Sequence, residues 1–171
     1  MRYHRKSAPS NSSSSVVAVL SLLVACIAGL ASCSSDGCYD NGSAVPLAKF
    51  YNSSTGALAT VDSLTVQGLG APGDSDLIAG QSVNQLYLPL RSTVQQSQYV
   101  LSYKSSLALA PDTVTLAYQA VPTFVSRDCG AMFFFDISGV NYTTHRIDSV
   151  VVVYPHITNQ DRTSIKIFMK D

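Results

Sequence analysis

Few residues of this chain have the types and spacing that chemistry requires. His145 and His156 are the histidines of the C-terminal half; His4 lies near the start. A histidine acting as a base needs an acid to orient it and a nucleophile within reach. Asp148 is three positions from His145, and an odd spacing along a strand sends the two side chains to opposite faces. His145 therefore reads as a locally hydrogen-bonded turn or edge residue. Asp74-Ser75-Asp76 offers oxygens to a calcium ion, but it lacks the ligand number and spacing of an EF-hand loop, so it reads as a solvated loop. Cys129 follows Arg127-Asp128, and a neighbouring cation is one condition for a reactive thiolate. No catalytic residue, metal ligand or cofactor site is expected, and the chain is read as a non-enzyme.

Cysteine chemistry of another kind is legible at Cys33. Arg2, Arg5 and Lys6 make a basic start, Ser7 to Ser15 a polar spacer, and Val16 to Leu30 an apolar run interrupted by Ser21 and Gly29. This is the layout of an export signal. The run is shorter than the roughly 20 apolar residues of a stable spanning helix. It ends Leu30-Ala31-Ser32-Cys33, which resembles the bacterial lipobox: an apolar residue, two small ones, then the cysteine whose thiol carries lipid. The small residues let the chain enter a peptidase cleft in extended form. Each acyl methylene adds about 0.8 kcal/mol of membrane affinity, and two chains anchor stably. The expectation is a signal peptide over residues 1–32, lipidation at Cys33, a tether over 33–44 and one domain over 45–171. Ser34, not Asp, follows the cysteine, which points to the outer membrane, its periplasmic or surface side left open.

Cleavage before Cys33 leaves 139 residues, enough for one cored domain. Of 11 Lys and Arg, three precede Cys33, so the remaining 8 face 11 Asp, a net charge of about −3; there is no Glu. That balance gives no electrostatic reason to bind nucleic acid. Of four cysteines, Cys26 falls in the leader and Cys33 is spent on lipid. Cys38 and Cys129 remain, and an oxidising compartment favours a disulfide between them. The alternatives are two free thiols or a metal site, for which the sequence offers no CxxC spacing.

The elements that would position these residues are strands. From Val45 the apolar pattern has period two. Leu47 to Asn52 reads as a strand, Asn52 to Gly56 as its turn, and Ala57 to Val61 as the answering strand. Leu64 and Val66 share a face, and so do Tyr99, Leu101 and Tyr103, then Val114, Leu116 and Tyr118. Gly68 to Asp76 reads as a loop, Ser82 to Leu90 as a strand that Pro89 either ends or marks as an edge, and Ser138-Gly139 as a turn. Phe133-Phe134-Phe135 reads as a core strand with one ring toward an edge. Ile147 to Tyr154, apolar on both faces at Val150 to Val153, reads as the most buried, central strand. Ile165, Ile167 and Met169 alternate with Lys166 and Lys170 in the last strand. The fold class expected is all-β, a single sandwich of Ig-like or Greek-key type.

Phe124-Val125-Ser126, Asp128-Cys129-Gly130, Met132-Phe133, Thr144-His145, Ile147-Asp148-Ser149-Val150 and the closing Ser164 to Phe168 resemble a family of short Bacteroidetes-type envelope lipoproteins whose domain has no known function. The resemblance is strongest from Phe124 to Phe168. It implies a membrane-anchored envelope protein with an outer-membrane β-barrel protein as partner, and it carries over no catalytic residue. Two functions stay open at this level: an accessory lipoprotein that contacts another envelope protein, or a module that binds a ligand such as a glycan. With no Trp in the chain, a glycan platform would fall to Tyr39, Tyr51, Tyr87 and Tyr142. An apolar patch without a cleft favours the first function; a cleft lined by tyrosines and carboxylates favours the second.

Overall fold

The computed structural model describes residues 43–70, 76–103, 110–127 and 130–171. All belong to the second of two units into which the chain divides, Cys38–Asp171. The described residues form strands and no helix, in two sheets packed as a sandwich.

The first sheet has four strands. β1 (Leu47–Asn52) lies between β10 (Thr163–Met169), which it pairs in parallel, and β4 (Gln85–Tyr87); β8 (Ile147–Val152) closes the other edge beside β10. The second sheet runs β3 (Asp76–Val83), β2 (Val61–Leu69), β5 (Gln96–Tyr103), β6 (Asp112–Ser126), β7 (Gly130–Tyr142), β9 (His156–Ile157). Alternation places one face of each strand inward. Ala48, Phe50, Ile165 and Ile167 meet Leu64, Val66, Leu101, Val114 and Leu116 across the interior, each at most 1% exposed. Burying such a side chain contributes about 1.5–3 kcal/mol, so the two inner faces supply the main drive for stacking the sheets.

The local expectations hold in most places. Asn52 turns the chain as an Asx turn: its Oδ1 accepts from the backbone N–H of Ser54 at 3.0 Å and of Thr55 at 2.8 Å. Gly56 takes φ +68°, a conformation that costs a side-chain-bearing residue more than glycine. The answering strand is a correction. Ala57 to Thr60 form only one bridge, Tyr51 to Leu58, and Val61 starts a strand in the other sheet. Likewise Ser82 to Leu90 is two strands. β3 ends at Val83 in the six-stranded sheet, and β4 starts at Gln85 in the four-stranded one. Ser138-Gly139 lies within β7, where the register shifts opposite Ala117 and Tyr118; the apparent turn is a β-bulge.

The valine run is the larger correction. β8 is an edge strand, not the central one. Ile147 and Val150 face the core, at 0% and 6% exposure, but Val151 is 43% exposed. An apolar run implies two covered faces only where sheet or helix lies on both; β8 has the sandwich on one side alone. Beyond it Val153 to Pro155 carry the chain across to β9, with Ile137 N–H donating to the Pro155 carbonyl at 2.9 Å.

Candidate functional site

Asp112 is the most heavily hydrogen-bonded side chain among the described residues. It opens β6 and is 0% exposed. Its Oδ1 accepts from His145 N–H at 2.7 Å and the Thr143 hydroxyl at 2.9 Å. Its Oδ2 accepts from Arg146 N–H at 2.8 Å, Ile147 N–H at 3.0 Å and the Tyr103 hydroxyl at 3.1 Å. Burial by itself pushes this carboxyl up; the bonds from the Arg146, His145 and Ile147 backbone and from Thr143 outweigh it and hold it below the usual carboxylate range. Every donor stabilises the ionised form. The carboxylate thus fastens the β7–β8 loop to the start of β6, and its lone pairs are occupied. The aromatic partner is fixed in turn: Arg146 Cζ stands 5.1 Å from the Tyr103 ring centroid, and burial raises the Tyr103 hydroxyl above the ordinary phenol value.

His145 is therefore oriented by Asp112, not by Asp148. Its Nδ1 is 3.4 Å from Asp112 Oδ1, longer than a good hydrogen bond, while its backbone makes the short contact. The partner is 33 positions away along the chain, not a sequence neighbour as a locally bonded histidine would have. A second pair was not read from sequence. His156 Nδ1 meets Asp136 Oδ1 at 2.5 Å, directly across the β7–β9 ladder. The Phe134 ring stands edge-on to His156, and Arg162 donates to the His156 carbonyl at 3.2 Å. Both side chains of the pair are more than half exposed, so water screens their interaction. Twenty residues separate them, and only the two-residue β9 brings them together, a contact no local pattern announces.

The buried tyrosines are structural as well. The Tyr118 hydroxyl accepts from Arg91 N–H and donates to the Arg91 carbonyl, each at 3.0 Å, and lies 2.8 Å from Ser97 Oγ. Tyr99 donates to the Pro89 carbonyl at 2.6 Å. The glycan candidates are not gathered. Tyr51 packs beside Phe168 and Lys166, and Tyr87 donates to Asp161 at 3.0 Å, both on the four-stranded sheet; Tyr142 belongs to β7 in the other. Tyr39, Cys33, Cys38 and Cys129 lie outside the described residues, as do Asp74 and Ser75. Among the described residues no group of three or more His, Cys, Asp or Glu is placed to hold a metal ion.

The sequence matches the family of unknown function DUF6452 over residues 63–169, more than half of its length. The chain belongs to that family. No curated protein and no solved structure matches it. The DUF6452 span runs from β2 to β10, and so contains Asp112, the loop it holds and the feature that departs most from a plain sandwich.

That feature is the β6–β7 ribbon. β6 has 15 residues and β7 has 13, and their pairing continues from Val114–Tyr142 to Ser126–Gly130. Near the sandwich the inward face is covered, with Tyr118, Phe135 and Ile137 buried. Further along, the same face presents Pro122 opposite Phe133 and Phe124 opposite Ala131. There Phe124 is 69% exposed and Phe133 45%. Of the three consecutive phenylalanines, Phe135 is in the core, Phe134 is half-buried and Phe133 is out. The other face carries Val121 opposite Phe134 and Thr123 opposite Met132, all half-buried, with Phe134 packed against the core. Both faces of the ribbon are thus rich in apolar side chains. Phe133 to Phe135 lie on a strand, as their sequence suggested.

Proposed function

We propose that this DUF6452 protein is a lipid-anchored protein of a bacterial envelope, held in the outer membrane through Cys33, that works by contact with another envelope protein and not by catalysis. The ribbon carries this reading. A ribbon with apolar side chains on both faces, extended past the covering sheet, is what a contact surface requires, because exposed contiguous apolar area marks interaction sites. Its aromatic residues are of the type that anchors interfaces. The carboxylate with the richest hydrogen bonding, Asp112, is committed to the fold, and the exposed His156–Asp136 pair is open to water.

Crosslinking the mature lipoprotein in its own membranes tests the reading, comparing the wild type with Val121→Asp on the ribbon and Val151→Asp on β8. The expected result is one discrete adduct with an envelope protein, lost in Val121→Asp and kept in Val151→Asp. An adduct indifferent to the ribbon substitution contradicts the proposal, and so does the absence of any adduct.

A further inference from the structure

We infer that the outer face of the four-stranded sheet rests on the anionic headgroups of the membrane in which the chain is anchored. Lys49 on β1 stands directly opposite Lys166 on β10, and like charges so placed repel each other. Among the described residues no carboxylate forms an ion pair with either lysine. Lys166 leans over the Tyr51 ring instead, its Nζ 5.2 Å from the centroid. The mature chain carries a net charge of about −3, from 8 Lys and Arg against 11 Asp. Two adjacent cations left without a counter-charge in so acidic a chain attract an anion from outside it.

The neighbours of the lysines suit a membrane surface. Lys166 stands opposite the exposed Val151, and Tyr51 opposite Phe168, their ring centroids 5.7 Å apart. Lys49, Lys166, Tyr51 and Phe168 are all half-buried, so apolar stems and rings cover the sheet while the ammonium groups reach water. Lysine and tyrosine on an apolar bed are the residues that sit at a membrane–water interface. The carboxylates of this sheet stay off these rows. Asp161 accepts from the Tyr87 hydroxyl at 3.0 Å, Asp171 from Asn52 and Ser54, and Asp148 is exposed on the edge strand β8. The charge of the face is therefore complementary to headgroup phosphates.

The inference takes the lipid anchor at Cys33 from the reading above. Fourteen positions separate Cys33 from Leu47, the first residue of β1, which holds the sheet within at most about 50 Å of the bilayer. The β6–β7 ribbon belongs to the other sheet and is left for the contact proposed above.

The test uses the mature chain with Cys33→Ser, so that no acyl group contributes to binding. It is sedimented with vesicles of phosphatidylcholine and with vesicles in which phosphatidylglycerol replaces part of the phosphatidylcholine. The expected result is binding to the second alone, weaker by about fivefold in Lys49→Gln and by as much in Lys166→Gln. Salt should weaken it, and Arg127→Gln, an exposed cation on the ribbon, should leave it unchanged. A second measurement reads the orientation. The chain has no Trp, so Tyr51→Trp and Gln119→Trp, the latter exposed on the other sheet, are single reporters. Brominated lipid should quench the first and not the second. Equal binding to both vesicles, binding indifferent to both lysines, an equal loss in Arg127→Gln, or equal quenching of the two reporters overturns the inference. So does Lys49-dependent binding to a soluble acidic polysaccharide with none to vesicles. Such a failure leaves the anchor standing, because acyl mass on Cys33 is read separately on membrane-extracted protein.

Discussion

Asp112→Asn is the perturbation whose effect follows most directly from the geometry. The side chain keeps its size but exchanges one acceptor oxygen for an amide that only donates. If the amide oxygen replaces Oδ2, the Arg146, Ile147 and Tyr103 donors keep a partner, while the N–H of His145 and the Thr143 hydroxyl face an NH2 group. The opposite orientation strands three donors. Each donor left unsatisfied costs about 1–3 kcal/mol, so with two of them the variant should lose about 2–6 kcal/mol. That is a large part of the roughly 5–15 kcal/mol of a typical domain. Urea unfolding followed by far-UV circular dichroism reads it as a lower midpoint with an unchanged slope. The pH dependence gives the sign. Because the folded-state carboxyl lies below its ordinary value of 3.8, its contribution is fully present above that value and is lost as pH falls through the lower folded one. The gap between wild type and variant should be widest near neutrality and shrink in acid. A variant within about 0.5 kcal/mol of wild type at neutral pH, or a gap that does not narrow in acid, refutes the reasoning.

Other consequences are separable. Val151→Lys on the exposed side of β8 should change stability by less than about 0.5 kcal/mol, whereas Val150→Lys, 6% exposed, should cost several times more; equal costs would contradict a β8 that is covered on one face only. Intact-mass measurement of membrane-extracted protein should give a chain starting at Cys33 with acyl mass added, and a chain retaining Met1 would refute the lipidation. Titration of the unreduced, denatured mature protein should find Cys38 and Cys129 oxidised together, and Cys129→Ser should cost about 2–5 kcal/mol; two free thiols would end that pairing.

Much of the fold was legible because period-two burial is local. Leu64 and Val66, Tyr99 to Tyr103, and Ile165 to Met169 lie inward as their alternation requires. What alternation does not encode is which sheet a strand joins. The crossing at Asn84 falls inside a stretch that reads as a single strand, since a chain can change sheets without losing its period. The valine run misled for a related reason: sequence records hydrophobicity, not the number of neighbours, and β10 rather than β8 has a strand on each side. Asp112 was hidden because its donors come from residues 31 to 35 positions away along the chain, apart from Tyr103. The ribbon was half visible. The three phenylalanines announced a strand, but that Phe133 is uncovered depends on where the opposite sheet stops.

The claim that the ribbon is a contact surface is tested most directly by a photoreactive residue at position 121 in cells that carry the anchored protein. The account predicts an adduct of defined mass with one envelope protein from position 121, and none from position 148 on β8. Equal labelling from both positions, or from neither, would contradict it.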